Sequence, residues 1–256
     1  MHSLREVRPC LPPWCPLAPG MIREKFRFRE TFATILADEE RYIKAAKKGM
    51  LAARSVIEAY IARDPFFQAT FEPYTPDSDD PVILRMADAA RGAGVGPMAA
   101  VAGTVAWEGV DAMIDAGAGY AVIDNGGDIA LVSDRDVSVG IHAGTATVSD
   151  KYAFLVPPTD QVLGICTSSA TVGPSISLGI ADAVTIFSHN VALSDAWATR
   201  ICNEIRPDDQ TVLGYPDPKY IEGVFAVMGE IIIRWGSLPP LVPAVVDEQL
   251  ISAGDR

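Results

Sequence analysis

The stretch Asp124-Asn125-Gly126-Gly127-Asp128 constrains the fold of this chain more than any other. Two glycines stand between two apolar runs, Ala121-Val122-Ile123 and Ile129-Ala130-Leu131-Val132, with acidic and amide side chains edging the turn. Glycine supplies the positive φ that a tight hairpin turn demands, so the pattern predicts two antiparallel strands joined directly. Strand-like runs continue at Val137 to Ile141, Gln161 to Cys166 and Ala183 to Phe187. Val224 to Val227 and Glu230 to Trp235 then meet at Met228-Gly229 as a second hairpin. Neighbours this close in sequence favour antiparallel pairing.

The first half carries a different period. Phe26, Phe28, Phe32, Thr34 and Leu36 share one parity and predict a single half-buried strand. From about Asp38 to Arg63, Ile43, Ala46, Met50, Ala53, Ile57 and Tyr60 recur every three or four residues, the stripe of an amphipathic helix that Asp64-Pro65 ends. Asp80 followed by Pro81 reads as an N-cap and first helical residue. A glycine-rich link, Gly92 to Pro97, opens another long helix reaching about Asp115. Its face Ala99, Ala102, Gly103 and Ala106 is small enough for close packing, or for a ligand near the helix start. The link follows a helix rather than a strand, which argues against a dinucleotide-binding βαβ unit. Long helices with mostly antiparallel strands define an α+β protein.

Composition sets the outer bounds. With 256 residues and 49% hydrophobic content, the chain has enough apolar surface for one large core, placed at residues 21–237. Residues 1–20 are expected to be a disordered leader or the product of an upstream start codon, with Met21 the true start, and residues 238–256 a C-terminal tail. The net charge of -12 opposes unspecific nucleic-acid binding and gives anionic membranes no global attraction. The leader has no continuous apolar segment, and Ile231-Ile232-Ile233 is too short to span a bilayer. Cys10, Cys15, Cys166 and Cys202 make neither a disulfide framework nor a Cys-x-x-Cys zinc pair. A cytoplasmic protein with free thiols is the expectation.

Ser194-Asp195-Ala196-Trp197-Ala198-Thr199 carries the chemistry. Asp195 and Thr199 lie one helical turn apart, and Ser194 reads as the N-cap of the helix holding them. Two oxygen ligands on one helix face suit a hard cation such as Mg2+, whose shell phosphates and water complete. The same residues also serve a purely local role, Asp195 on its helix dipole and Thr199 back-bonded to a carbonyl. His142 and His189 are the histidines of the patterned region; His189, in the loop before Asp195, is the candidate general base.

Taken in order, four landmarks resemble the ApbE superfamily, whose founding members are flavin transferases that move FMN from FAD to a protein threonine. They are the Ala/Gly-rich helix Ala99 to Ala106, the turn Asp124 to Ile129, the hydroxyl cluster Thr167-Ser168-Ser169, and Asp195 to Thr199. The resemblance spans about Gly96 to Asn203 and implies a T-fold-related architecture. It implies that Asp195 and Thr199 bind Mg2+, with a backbone carbonyl near Val101 as third ligand. It also implies that Asn125, Gly126, Gly127, Asp128, Thr167 and Ser168 line the pocket of FAD or a related flavin or pterin nucleotide.

Two departures mark a separate, cytosolic branch. Ala102 stands where the family carries a lysine, and Val172 to Gly179 replaces a His-x-x-Asp/Asn-Pro-x-Thr-Gly segment. The expected function is Mg2+-dependent binding of a flavin- or pterin-type nucleotide, with transfer to an acceptor protein or hydrolysis. The alternative is a non-catalytic carrier or sensor. The small-residue helix and exposed hairpins are compatible with a homodimer.

Overall fold

The structure, a computed structural model, describes residues 20–171 and 179–244. The leader, the replaced segment at 172–178 and the tail from 245 lie outside the described residues.

Among the described residues, eleven strands and five α-helices form three layers. The central layer is an eight-stranded sheet in the order β1-β2-β3-β4-β7-β8-β9-β10, antiparallel throughout. Its strands are β1 (Ile22–Phe28), β2 (Thr31–Ala37), β3 (Tyr120–Asn125), β4 (Asp128–Ser133), β7 (Thr159–Ser168), β8 (Ala183–Ser188), β9 (Gly223–Met228) and β10 (Ile231–Gly236). One face is covered by α1 (Glu40–Arg63), α3 (Pro81–Ala93), α4 (Val101–Asp115) and α5 (Val191–Glu204), with the single turn α2 (Phe66–Ala69) beside them. The other face carries a small antiparallel sheet of β5 (Val137–Gly140), β6 (Tyr152–Val156) and β11 (Leu241–Pro243). There the Phe154 ring packs edge-on against Phe187 and Phe225, with centroids 4.9 and 5.2 Å away. The α+β class with a mostly antiparallel sheet and long helices is therefore observed.

Local chemistry explains most elements. All six apolar residues of the α1 stripe are buried. At α3 the Asp80 side chain accepts from the Val82 amide at 2.9 Å, Pro81 fills the first position, and Gly94 closes the helix at φ 71°. The Gly126-Gly127 turn joins β3 to β4 with φ of 72° and 105°.

Three expectations are corrected. The strand expected through Phe26 to Leu36 is a hairpin, turning at Arg29-Glu30 with Phe28 opposite Thr31. An even-numbered turn inside an apparent period of two exchanges the faces, so Phe26 shares the helix face with Ala33, while Phe32 and Leu36 point the other way. The helix expected to start at Ser194 starts at Val191, because Asn190 accepts from the Leu193 amide at 2.9 Å and Val191-Ala192 extends the buried stripe. Leu241–Pro243, expected as tail, pairs with β6, and β6 itself carried no clear alternation. Of the two readings of the small α4 face, close packing is the one found at Gly103, which lies against the Asp195 side chain.

The small face of α4 is a packing device. At Gly109 it meets Ile123 and Met50, and α1 reaches it through Gly49, where an added Cβ would lie 2.5 Å from the Glu108 carbonyl oxygen. A backbone oxygen has nowhere to move. Helix propensity alone predicts that Gly49→Ala gains about 1 kcal/mol. The contact reverses the sign, and we expect a loss of about 1–2 kcal/mol, read from the urea unfolding midpoint.

Candidate functional site

The site is built where α4, α5 and one end of the large sheet converge. Antiparallel register places Asn125, Asp128 and Cys166 side by side across β3, β4 and β7. These residues face the helices, as Ala33 and Ala130 do. The turn reaches β7 directly, since the Thr167 amide donates to the Gly127 carbonyl at 3.1 Å. Thr167 Oγ1 lies 2.9 Å from Thr185 Oγ1, and Ser168 is buried at the strand end. Gly126 is open, for an added Cβ there would meet no atom within 4 Å. Gly127 donates its amide to Asp124 Oδ1 at 2.8 Å.

Asp195 closes the cluster from above. As the fifth residue of α5 it lies past that helix's positive end, and its Oδ2 instead accepts the Gly103 amide of α4 at 2.8 Å. Gly103 is the third residue of α4, whose own N-cap, Ala100, offers no side-chain acceptor. One helix thus caps the other. The fit is tight: a Cβ on Gly103 would sit 2.9 Å from both Asp195 Cβ and the Val191 carbonyl oxygen. Asn125 Nδ2 donates to the Ala102 carbonyl at 3.0 Å, tying β3 to the same helix start. Gly164 lets α5 descend onto β7, and Ser194 Oγ donates to the Val191 carbonyl at 2.8 Å while lying 3.0 Å from Cys166 Sγ.

The electrostatics are unbalanced. Asp128 Oδ1 is shielded from solvent and has no hydrogen-bond partner among the described residues. Burial first, then the Asp195 charge, pushes the Asp128 carboxyl well above the usual carboxylate range. Burial also raises Asp195, to about 7, against the pull of the Gly103 and Ala102 amides. The Cys166 thiol is pushed up by burial and by both carboxylates, which keeps it protonated.

Sequence-predicted residues therefore divide. Asn125, Gly126, Gly127, Asp128, Thr167, Ser168 and Asp195 come together at one end of the sheet. Val101 opens α4 two residues before Gly103, and Thr199 follows Asp195 by one turn, half-buried. His189 does not join them. It follows the far end of β8, with Nδ1 2.9 Å from the Val162 carbonyl oxygen and Nε2 3.0 Å from Glu222 Oε1. A cavity of about 360 Å³, lined by Val156, Leu163, Phe187 and Leu238, adjoins it there. His142, bound to Asp150 Oδ1 at 3.0 Å, sits in the β5–β6 loop. The sequence reading missed Cys166 as a neighbour of the carboxylates and the pairing of Asp128 with Asp195; the alternation Asp128-x-Ala130 was the available signal. No group of three or more His, Cys, Asp or Glu among the described residues is arranged to hold a metal ion by itself. No described helix is long and apolar enough to cross a membrane.

This architecture defines an antiparallel α+β protein with a buried acidic junction at a helix start. The fold is like that of the apbe protein from Thermotoga maritima, with a TM-score of 0.52 and 12% identity over 84% of this chain and 96% of that one. Residues 18–218 match the family described as AbpE bacteria, and the chain belongs to that family. It is 65% identical over 237 residues to a UPF0280 protein of Methanoregula boonei, covering 92% of this chain and 100% of the relative. A UPF0280 protein of Methanoculleus marisnigri is 60% identical over 234 residues, covering 91% and 96%.

The raised carboxyls set a pH dependence. Between the ordinary carboxylate range and about pH 7 the folded chain holds a proton that the unfolded chain releases, so this contribution to stability is lost as pH rises through that window. In chelator we expect Asp128→Asn to melt above the parent at about pH 8 and to match it at about pH 4, measured by thermal unfolding across that range.

Proposed function

We propose that this protein binds a flavin-type nucleotide together with Mg2+ at the junction of α4, α5 and the β3–β4 turn, and does so in the cytoplasm. The observation that carries the reading is the unpartnered, shielded Oδ1 of Asp128 beside Asp195. Two buried carboxylates without a cationic neighbour form a donor set suited to a hard dication, and such a pair is costly without one. Asp195 and Asp128 would hold the ion, joined by Thr199 one turn further along α5 and by a carbonyl of the first turn of α4 at Val101. When bound, Mg2+ supplies charge neutralisation at a pyrophosphate.

The chain's own residues do the rest. Asp195 keeps the two helix starts in register through the Gly103 amide. Asn125 fixes the β3 end against Ala102. The open Gly126 gives a ligand access to the turn backbone, which the Thr167 amide ties to the end of β7. Glycines here leave room for a phosphate or ring edge to approach main chain. The pterin nucleotides named by the same resemblance are the competing ligand class.

A second reading, binding without turnover, is favoured by Ala102 in the place of the family's lysine and by the position of His189 at the opposite end of β8. Cys166, held protonated, offers no nucleophile in its place. Release of AMP from FAD and Mg2+ separates the two, since a transferase or hydrolase produces it, with or without an acceptor protein, and a carrier does not.

We expect FAD or FMN to raise the melting temperature only when Mg2+ is present, and Asp195→Asn to abolish that shift while the variant remains folded by circular dichroism. Retention of the full shift in Asp195→Asn refutes the assigned role. Absence of a shift with flavins and pterins alike refutes the proposed binding.

A further inference from the structure

The two edges of the large sheet differ in a way that the ligand site does not explain. β1 carries Arg23, Glu24, Lys25 and Arg27, a charged strand of the kind that resists pairing with another chain. β10 carries Ile231-Ile232-Ile233-Arg234-Trp235, and no strand covers its outer side among the described residues. Ile231 and Ile232 are each 43% exposed there. An exposed, isoleucine-rich edge with unpaired backbone groups is a template for another strand.

The flanking charges specify which strand. Two copies of one antiparallel edge, related by a two-fold axis perpendicular to the sheet, must pair residues of equal parity, because paired side chains share a face. Centred on Ile232, that register sets Ile231 against Ile233 of the second copy. It sets Glu230 against Arg234 of the second copy, twice by symmetry. Both are exposed, and neither forms an ion pair among the described residues. Shifting the centre to Ile233 would instead oppose Ile232 to Arg234 and leave Glu230 facing Gly236. We propose that the chain forms a homodimer through antiparallel pairing of β10 with β10 of a second copy, centred on Ile232, which doubles the eight-stranded sheet. This inference is independent of the ligand reading.

The test is sedimentation of the full chain over a micromolar concentration series. The parent chain is expected to be dimeric. Glu230→Arg and Arg234→Glu each replace two attractive cross-strand pairs with two repulsive ones, and each is expected to weaken the dimer by about tenfold or more. Both sites are exposed, and circular dichroism checks that each variant is folded. Mixing the two weakened variants restores both opposite-charge pairs in a heterodimer, so the mixture is expected to sediment as a dimer where neither variant does alone. A monomeric parent chain, which leaves this edge to some other occupant, overturns the proposal. A dimer indifferent to both substitutions overturns it too, as does a mixture that stays monomeric.

Discussion

The hydrogen bond from the Gly103 amide to Asp195 Oδ2 is the contact on which the arrangement of the site rests. It supplies the first turn of α4 with the acceptor that Ala100 cannot offer, and it draws that acceptor from another helix. A helix N-terminus favours negative charge, so the bond offsets part of the cost of burying a carboxylate. The residual cost shows in the raised Asp195 carboxyl. Because the bond needs α5 close to α4, the sequence must leave space, and glycine provides it at residue 103 and again at 164, beneath α5.

The sheet then distributes the consequences. Bringing α5 down onto β7 sets Asp195 above Asp128 and Cys166, and each carboxylate raises the proton affinity of a neighbour. A structural cap thereby becomes half of an acidic pair, and cation binding would relieve the repulsion that packing creates. The opposite end of β7 and β8 has its own concavity and its own histidine, held by Val162 and Glu222. Strand direction separates these two ends, so the short distance in sequence from His189 to Asp195 does not make them neighbours in function.

Legibility in the sequence followed the range of the forces involved. Asp80-Pro81, the α1 stripe and the Gly126-Gly127 turn were readable because each signal and its effect lie within a few residues. The phenylalanines of residues 26–32 misled because a two-residue turn at Arg29 reverses which parity faces the core. Ser194 looked like a cap, yet Asn190 had the acceptor in reach of a free amide, and the serine donates inside the helix instead. β6 and β11 escaped notice because each is short and is specified by the strand beside it. At the site, the order of the Asp124 to Asp128 turn, Thr167-Ser168 and Asp195 to Thr199 was enough to group the residues through a family resemblance.

By itself the sequence determined the class of fold, the α1 and α3 helices, the β3–β4 and β9–β10 hairpins, the family and the residues to suspect. Periodicity, caps and turn glycines act over one or two turns of chain, and the linear order preserves them. Only the tertiary structure decided that Asp195 caps α4 rather than its own helix, that Asp128 is its buried neighbour, and that His189 stands apart. Those outcomes depend on strand register and on how closely two helices approach, which are set by packing between residues about forty to ninety positions apart.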